Sequence, residues 1–121
     1  SYHYLAPSRE VAASPKAVQA IEKVLKRNGI DYLLTKTWTT DAFYRETPKK
    51  IALRKSEGCL TVEMEAAALF AVAQFRQGVL GQLLYAGDDV GGLDWDARNW
   101  MARTDARAHV LRLAIEACRL L

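Results

Sequence analysis

The sequence predicts an α/β protein, a three-layer αβα domain around a mixed, largely parallel sheet, with residues 1–121 forming a single domain. Three observations carry that expectation. Strand-like runs alternate with helix-like runs along the chain, the pattern of a sheet flanked by helices. No repeat, low-complexity stretch or domain linker interrupts the alternation. A share of 50% hydrophobic and 26% charged residues over 121 positions is the composition of a globular chain with one core.

The elements follow in order. "SYHYLAP" is aromatic and alternating, so it reads as a strand ended by Pro7. "SPKAVQAIEKVLKRNG" is a helix: Ser14 is a natural N-cap, and Pro15 suits the first helical position. Val18, Ile21, Val24 and Leu25 share one apolar face, and Gly29 ends the run. "IDYLLTKTW" is the next strand and "TTDAFYRE" a loop. Thr47-Pro48 then opens a short basic helix, "PKKIALRKSEG". "CLTVEM" reads as a strand, "EAAALFAVAQFRQ" as an Ala-rich helix that packs closely, and "VLGQLLYAG" as another strand. After the loop "DDVGGLDWD", Asp94 suits the cap of a final helix that runs to the end of the chain. In parallel sheets ligands collect beyond the carboxyl ends of strands. Three loops hold such places: Thr39–Glu46, Glu63–Glu65 and Asp88–Asp94.

Charge and cysteine usage narrow the function classes. The net charge is +3, and the basic residues are spread along the chain. That mild excess suits a phosphate-bearing ligand, nucleic acid and an ordinary soluble surface alike. Trp95 and Trp100 stand at helical spacing, as packing residues do, and Arg98, Arg103, Arg107 and Arg112 read as a solvated face or an oligomer contact. Cys59 and Cys118 lie in apolar surroundings without metal-ligand spacing, which predicts reduced, buried thiols and a cytoplasmic location. No apolar stretch reaches membrane-spanning length, and "SYHYLAPSRE" lacks the pattern of a signal peptide. His3 and His109 each read as structural residues.

The chemically unusual run is "TVEMEAAALFAVA", where Glu63, Met64 and Glu65 interrupt apolar sequence. Residues two apart on a strand share a face, and the helix begins just beyond. Two readings are open. Either carboxylate suits the helix N-terminus, where free N–H groups and the dipole favour an anion. A carboxylate is also the natural acceptor for two vicinal hydroxyls, such as those of a ribose, with a methionine as a soft apolar surface under the ring.

"VEMEAAALFAVA" resembles the signature of the nucleoside phosphorylase superfamily, which includes purine nucleoside phosphorylases, uridine phosphorylases and related nucleosidases. The resemblance implies that Glu65 holds the ribose 2′- and 3′-hydroxyls, that Met64 lies against the sugar, and that Glu63 flanks the site. "TTDAFYRE" resembles the family loop whose aromatic residue stacks on the base, which implies that role for Phe43. Read without the family, Phe43 and Tyr44 are core aromatics. "SYHYLAPSREVAAS" resembles the strand that enters the family's C-terminal half, in its uridine phosphorylase version. "YAGDDVGG" places Asp88 where purine-cleaving members carry the acid that protonates the leaving base, and Gly87 replaces the usual Ser. An acid there assists departure of the base, and a turn is the alternative for Asp88 and Asp89.

The sequence also departs from the family pattern. Uridine phosphorylases carry a Gln and an Arg shortly after the "FY" pair, whereas here Thr47 and Lys49 stand near those places and Arg45 is offset. The resemblance implies no cofactor, with inorganic phosphate as co-substrate. Yet the family's Gly-rich phosphate loop has no counterpart in these residues. The expectation is therefore the C-terminal half of a nucleoside phosphorylase. It would act on a nucleoside with phosphate, complete itself as a homo-oligomer or with an N-terminal half, and involve neither nucleic acid nor membrane. The rival expectations are a hydrolytic nucleosidase and a non-catalytic nucleoside-binding or assembly fragment.

Overall fold

Six elements form in the structure, a computed structural model that describes residues 3–87 and 104–121. In order they are helix α1 (Pro15–Arg27), strand β1 (Lys36–Thr39), helix α2 (Pro48–Ser56), strand β2 (Cys59–Glu63), helix α3 (Ala66–Phe75) and helix α4 (Thr104–Cys118). A single 3-10 turn, Phe43–Arg45, lies between β1 and α2. The chain divides into two compact units, Ser1–Ala13 with Leu33–Leu80, and Ser14–Tyr32 with Gly81–Leu121.

The first unit is built on β1 and β2, which pair in parallel, with Trp38 beside Val62 and Thr39 beside Glu63. A register shift after Lys36 leaves Leu60 as an extra, exposed residue in β2, a bulge that bends the strand start. Helix α2 packs on β2 and α3 on β1. Pro48 opens α2 without losing a needed hydrogen bond, and the Thr47 hydroxyl accepts from the Lys50 N–H at 3.4 Å. Trp38 is only 8% exposed, with Lys50 and Arg54 over its ring at 5.5 and 5.8 Å. At the start of the strands, Arg9 and Arg54 both bind the Glu57 carboxylate, and Lys36 binds Glu10 at 2.7 Å.

The second unit joins α1 to α4. Ala20, Val24, Leu25, Leu113 and Ala117 form its core, with Ile21, Ile30, Tyr32 and Leu83 packed around them. Val24 is 1% exposed, a burial that contributes about 1.5–3 kcal/mol. Arg27 bonds Glu116 at 2.7 Å across the helix pair, and Asn28 Nδ2 donates to the same carboxylate at 3.3 Å. Gly29 ends α1 with φ of 64°, a left-handed conformation that a side chain would strain.

The α/β class and the parallel pairing match the sequence expectation, and several details do not. Helix α1 begins at Pro15 as predicted, but the Ser14 side chain makes no capping bond. Of the predicted first strand, the described part, residues 3–7, is turn and irregular chain. There Tyr4 packs edge-on against Phe75 at 5.4 Å, and Leu5 to Val11 line a cleft against Ala67 and Ala71 of α3. The predicted strand from Ile30 begins only at Lys36, because Ile30 bonds back to Leu25 and, with Tyr32, packs on the α1–α4 core. Residues 79–87 form no strand either, since Gly81 lies against Ala17 and Ile21 and Leu83 joins the helical core. Cys118 is exposed rather than buried, at the end of α4, while Cys59 is half-buried; both are free. The predicted Asp94 cap, Trp95 and Trp100 lie outside the described residues.

Candidate functional site

Parallel strands end on the same edge of a sheet, so the Thr39–Glu63 pair marks one carboxyl edge. From it leave the loop that carries Phe43 and the turn that carries Met64 and Glu65. The topology therefore brings Phe43, Glu63, Met64 and Glu65 to one edge of one unit.

The two carboxylates differ in their engagement. Glu63 is the structural one. Its Oε2 accepts from the backbone N–H groups of Glu65, at 2.7 Å, and Ala66, at 2.5 Å. Its Oε1 accepts from the Thr39 hydroxyl at 2.5 Å. The Thr39 oxygen in turn accepts from the Ala67 N–H at 3.0 Å. Three amides at the start of α3 thus find partners on two side chains of the strand ends, which satisfies donors that a helix start otherwise leaves free. An anion at this position is also favoured by the helix dipole. The Glu63 carboxylate is thus engaged by Thr39 and by the start of α3.

Glu65 is different. It occupies the N-cap position, with φ −130° and ψ −28°, but its side chain makes no capping bond. The residue is exposed, and its backbone carbonyl serves the helix by accepting from Ala68 and Leu69. The carboxylate is left facing solvent at the carboxyl edge. Met64, 48% exposed, sits beside it in the same turn.

The second loop is held as firmly. The Thr40 N–H donates to the Glu63 carbonyl at 2.9 Å, which ties the loop base to the end of β2. The buried Thr40 hydroxyl donates to the Ala42 carbonyl at 3.1 Å, and Ala42 is itself buried. Beyond this anchor Phe43 and Tyr44 stand 76% and 77% exposed, edge-on to one another at 5.6 Å. They are not core aromatics. Two large rings thus stand exposed on an anchored loop.

Asp88 lies outside the described residues, so the predicted acid has no geometry to report. Of the groups whose pKa departs from the ordinary value, those of this unit lie at the opposite, amino edge. The Arg54 hydrogen bond holds the Glu57 carboxyl down, with Arg9 adding to it against the cost of desolvation. The Glu10 hydrogen bond raises Lys36. These pairs serve the strand starts. Among the described residues no cluster of His, Cys, Asp and Glu could hold a metal ion, and no helix is long and apolar enough to cross a membrane.

Sequence reasoning missed Thr39 and Thr40. The available signal was a pair of hydroxyl residues at the end of one strand, opposite the acidic end of its parallel neighbour. Only the register shows that they meet.

A sequence model of the phosphorylase superfamily matches residues 1–117. The chain belongs to the phosphorylase superfamily, in agreement with the family likeness of its "VEMEAAALF" run. Its general function is accordingly nucleoside phosphorylase-like, within an enzymatic superfamily.

Proposed function

We propose that the chain acts on the N-glycosidic bond of a purine or pyrimidine nucleoside by phosphorolysis, giving free base and ribose 1-phosphate. One observation supports this most: Glu63 is engaged by the start of α3, while Glu65, two residues on, presents an exposed carboxylate beside Met64. An exposed carboxylate on a rigid turn suits two vicinal hydroxyls, each donating to one oxygen. Met64 underlies the sugar, and Phe43 stacks on the base.

In the reaction a phosphate oxygen attacks C1′ as the bond from C1′ to the base nitrogen breaks. The electron pair leaves with the base, and Asp88 supplies the proton that neutralises it. The ribose passes through an oxocarbenium-like state, which the anionic Glu65 stabilises while gripping the hydroxyls. Phosphate is a co-substrate, and no cofactor is required. Its binding groups come from a second copy of the chain, in a cytoplasmic oligomer.

The test follows release of free base from inosine and uridine, with and without inorganic phosphate. Phosphate-dependent release supports phosphorolysis. Equal release without phosphate makes the chain a hydrolytic nucleosidase. Ribose-dependent binding with no release under either condition makes it a non-catalytic nucleoside-binding fragment.

A further inference from the structure

Resting on the sugar-binding reading of Glu65, we propose that Thr39 is a positioning residue: its hydroxyl locks Glu63 in the one arrangement that holds the Glu65 amide, and so sets where the Glu65 carboxylate points. The chain of contacts is short. Thr39 donates to Glu63 Oε1, Glu63 Oε2 accepts from the Glu65 N–H, and Thr39 itself accepts from the Ala67 N–H.

A glutamate at a helix start has several free N–H groups within reach and several rotamers with which to reach them. Oε1, bound to the Thr39 hydroxyl, is withdrawn from that competition. Oε2 is left to the amides of Glu65 and Ala66. Thr39 suits the task because a β-branched residue on a strand is stiff at χ1 and its hydroxyl both donates and accepts. The strand pairing places it directly beside Glu63. The Met64–Glu65 turn is thus clamped at its start by Thr39 and Glu63, and at its end by the Ala67 amide on the same hydroxyl. Thr39 touches no substrate, and its influence passes through the direction of Glu65.

The experiment measures a ratio that general damage leaves unmoved: the Kd of a 2′,3′-dideoxynucleoside over that of its ribonucleoside, by calorimetry with the inosine and uridine pairs. Thr39→Val keeps the shape and removes the hydroxyl. The expected result is a ratio lowered about tenfold, about 1.4 kcal/mol, with dideoxynucleoside affinity unchanged and the ratio largely restored in Thr39→Ser. A Thr39→Val protein with the unaltered ratio overturns the proposal. Glu65→Ala separates the two levels. If it abolishes the ratio while Thr39→Val does not, only the Thr39 role fails; if it leaves the ratio unchanged, the sugar reading fails and the Thr39 role with it. Should Thr39→Val not fold, Thr39→Ala is the second probe, since it removes the same hydroxyl without the valine's bulk. A lowered ratio there supports the clamp and an unchanged one overturns it. An unaltered chain that shows no ribose-dependent binding overturns both.

Discussion

A single methyl group at Gly81 should be enough to disturb the helical unit. A Cβ at this position stands 2.9 Å from Ala17 Cβ and 2.9 Å from Ile21 Cδ1. Carbon atoms in good contact sit about 3.5–4.0 Å apart, so the added atom intrudes on two sides at once. The Ile21 side chain can swing its end away. The Ala17 Cβ cannot, because it is carried on the buried backbone of α1. Overpacking of this kind costs about 1–3 kcal/mol, and the lower half applies because one of the two neighbours yields. Replacing glycine also restricts the unfolded chain, which returns about 0.4–1 kcal/mol. Gly81→Ala should therefore destabilise by about 1 kcal/mol, a fall in melting temperature of about 3–6 °C for a chain of this size. Circular dichroism during thermal and urea denaturation measures it. In an Ile21→Ala background the same substitution should cost less, because the neighbours couple. A Gly81→Ala protein with an unchanged or raised midpoint would refute the packing of this segment on α1.

Other substitutions test the remaining supports. Leu113→Ala, in the core that α4 shares with α1, should cost about 2–5 kcal/mol in urea denaturation, since Leu113 is buried among Val24 and Leu25. Thr47→Ala should cost about 0.5–1 kcal/mol, because its 3.4 Å capping bond is long; equal midpoints would mean that Pro48 alone sets the start of α2. Glu57 and Glu116 both titrate below their ordinary value of 4.5, held down first by Arg54 and by Arg27 respectively. On acidification the unfolded chain takes up protons before the fold does. Their contribution is therefore complete above the ordinary value and lost as pH falls below it through the folded values. Melting temperature should drop across that acid window, and Arg27→Gln should shrink the Glu116 share of the drop.

How much of this was legible beforehand depended on whether the signal was local. Helix α1 could be placed from Pro15, its apolar face and Gly29, because capping and periodicity are written in adjacent residues. The start of α2 at Pro48 was legible for the same reason. The strands were harder. Apolar runs such as "VLGQLLYAG" satisfy a strand pattern, yet their partner decides the outcome, and here Gly81 and Leu83 pack on helices. The carboxyl-edge site was legible as a motif, since Glu63–Met64–Glu65 stands out in any apolar run. Which carboxylate would engage the helix start was not, because the partner of Glu63, Thr39, is more than twenty positions away and adjacent only through the β1–β2 register. The exposure of Phe43 and Tyr44, beyond the buried Thr40 and Ala42, was equally invisible without the fold.

On the proposed function, Glu65 serves the sugar while Glu63 serves the helix. The most direct test is the ribonucleoside affinity of Glu65→Ala, measured by calorimetry on a protein whose melting temperature is recorded alongside. Glu65 is exposed and makes no capping bond with its side chain, so the melting temperature should hold. Ribonucleoside binding should weaken by about tenfold or more, the scale of hydrogen bonds to a charged group. Unchanged ribonucleoside affinity in a normally folded Glu65→Ala protein would contradict a sugar-binding role for Glu65.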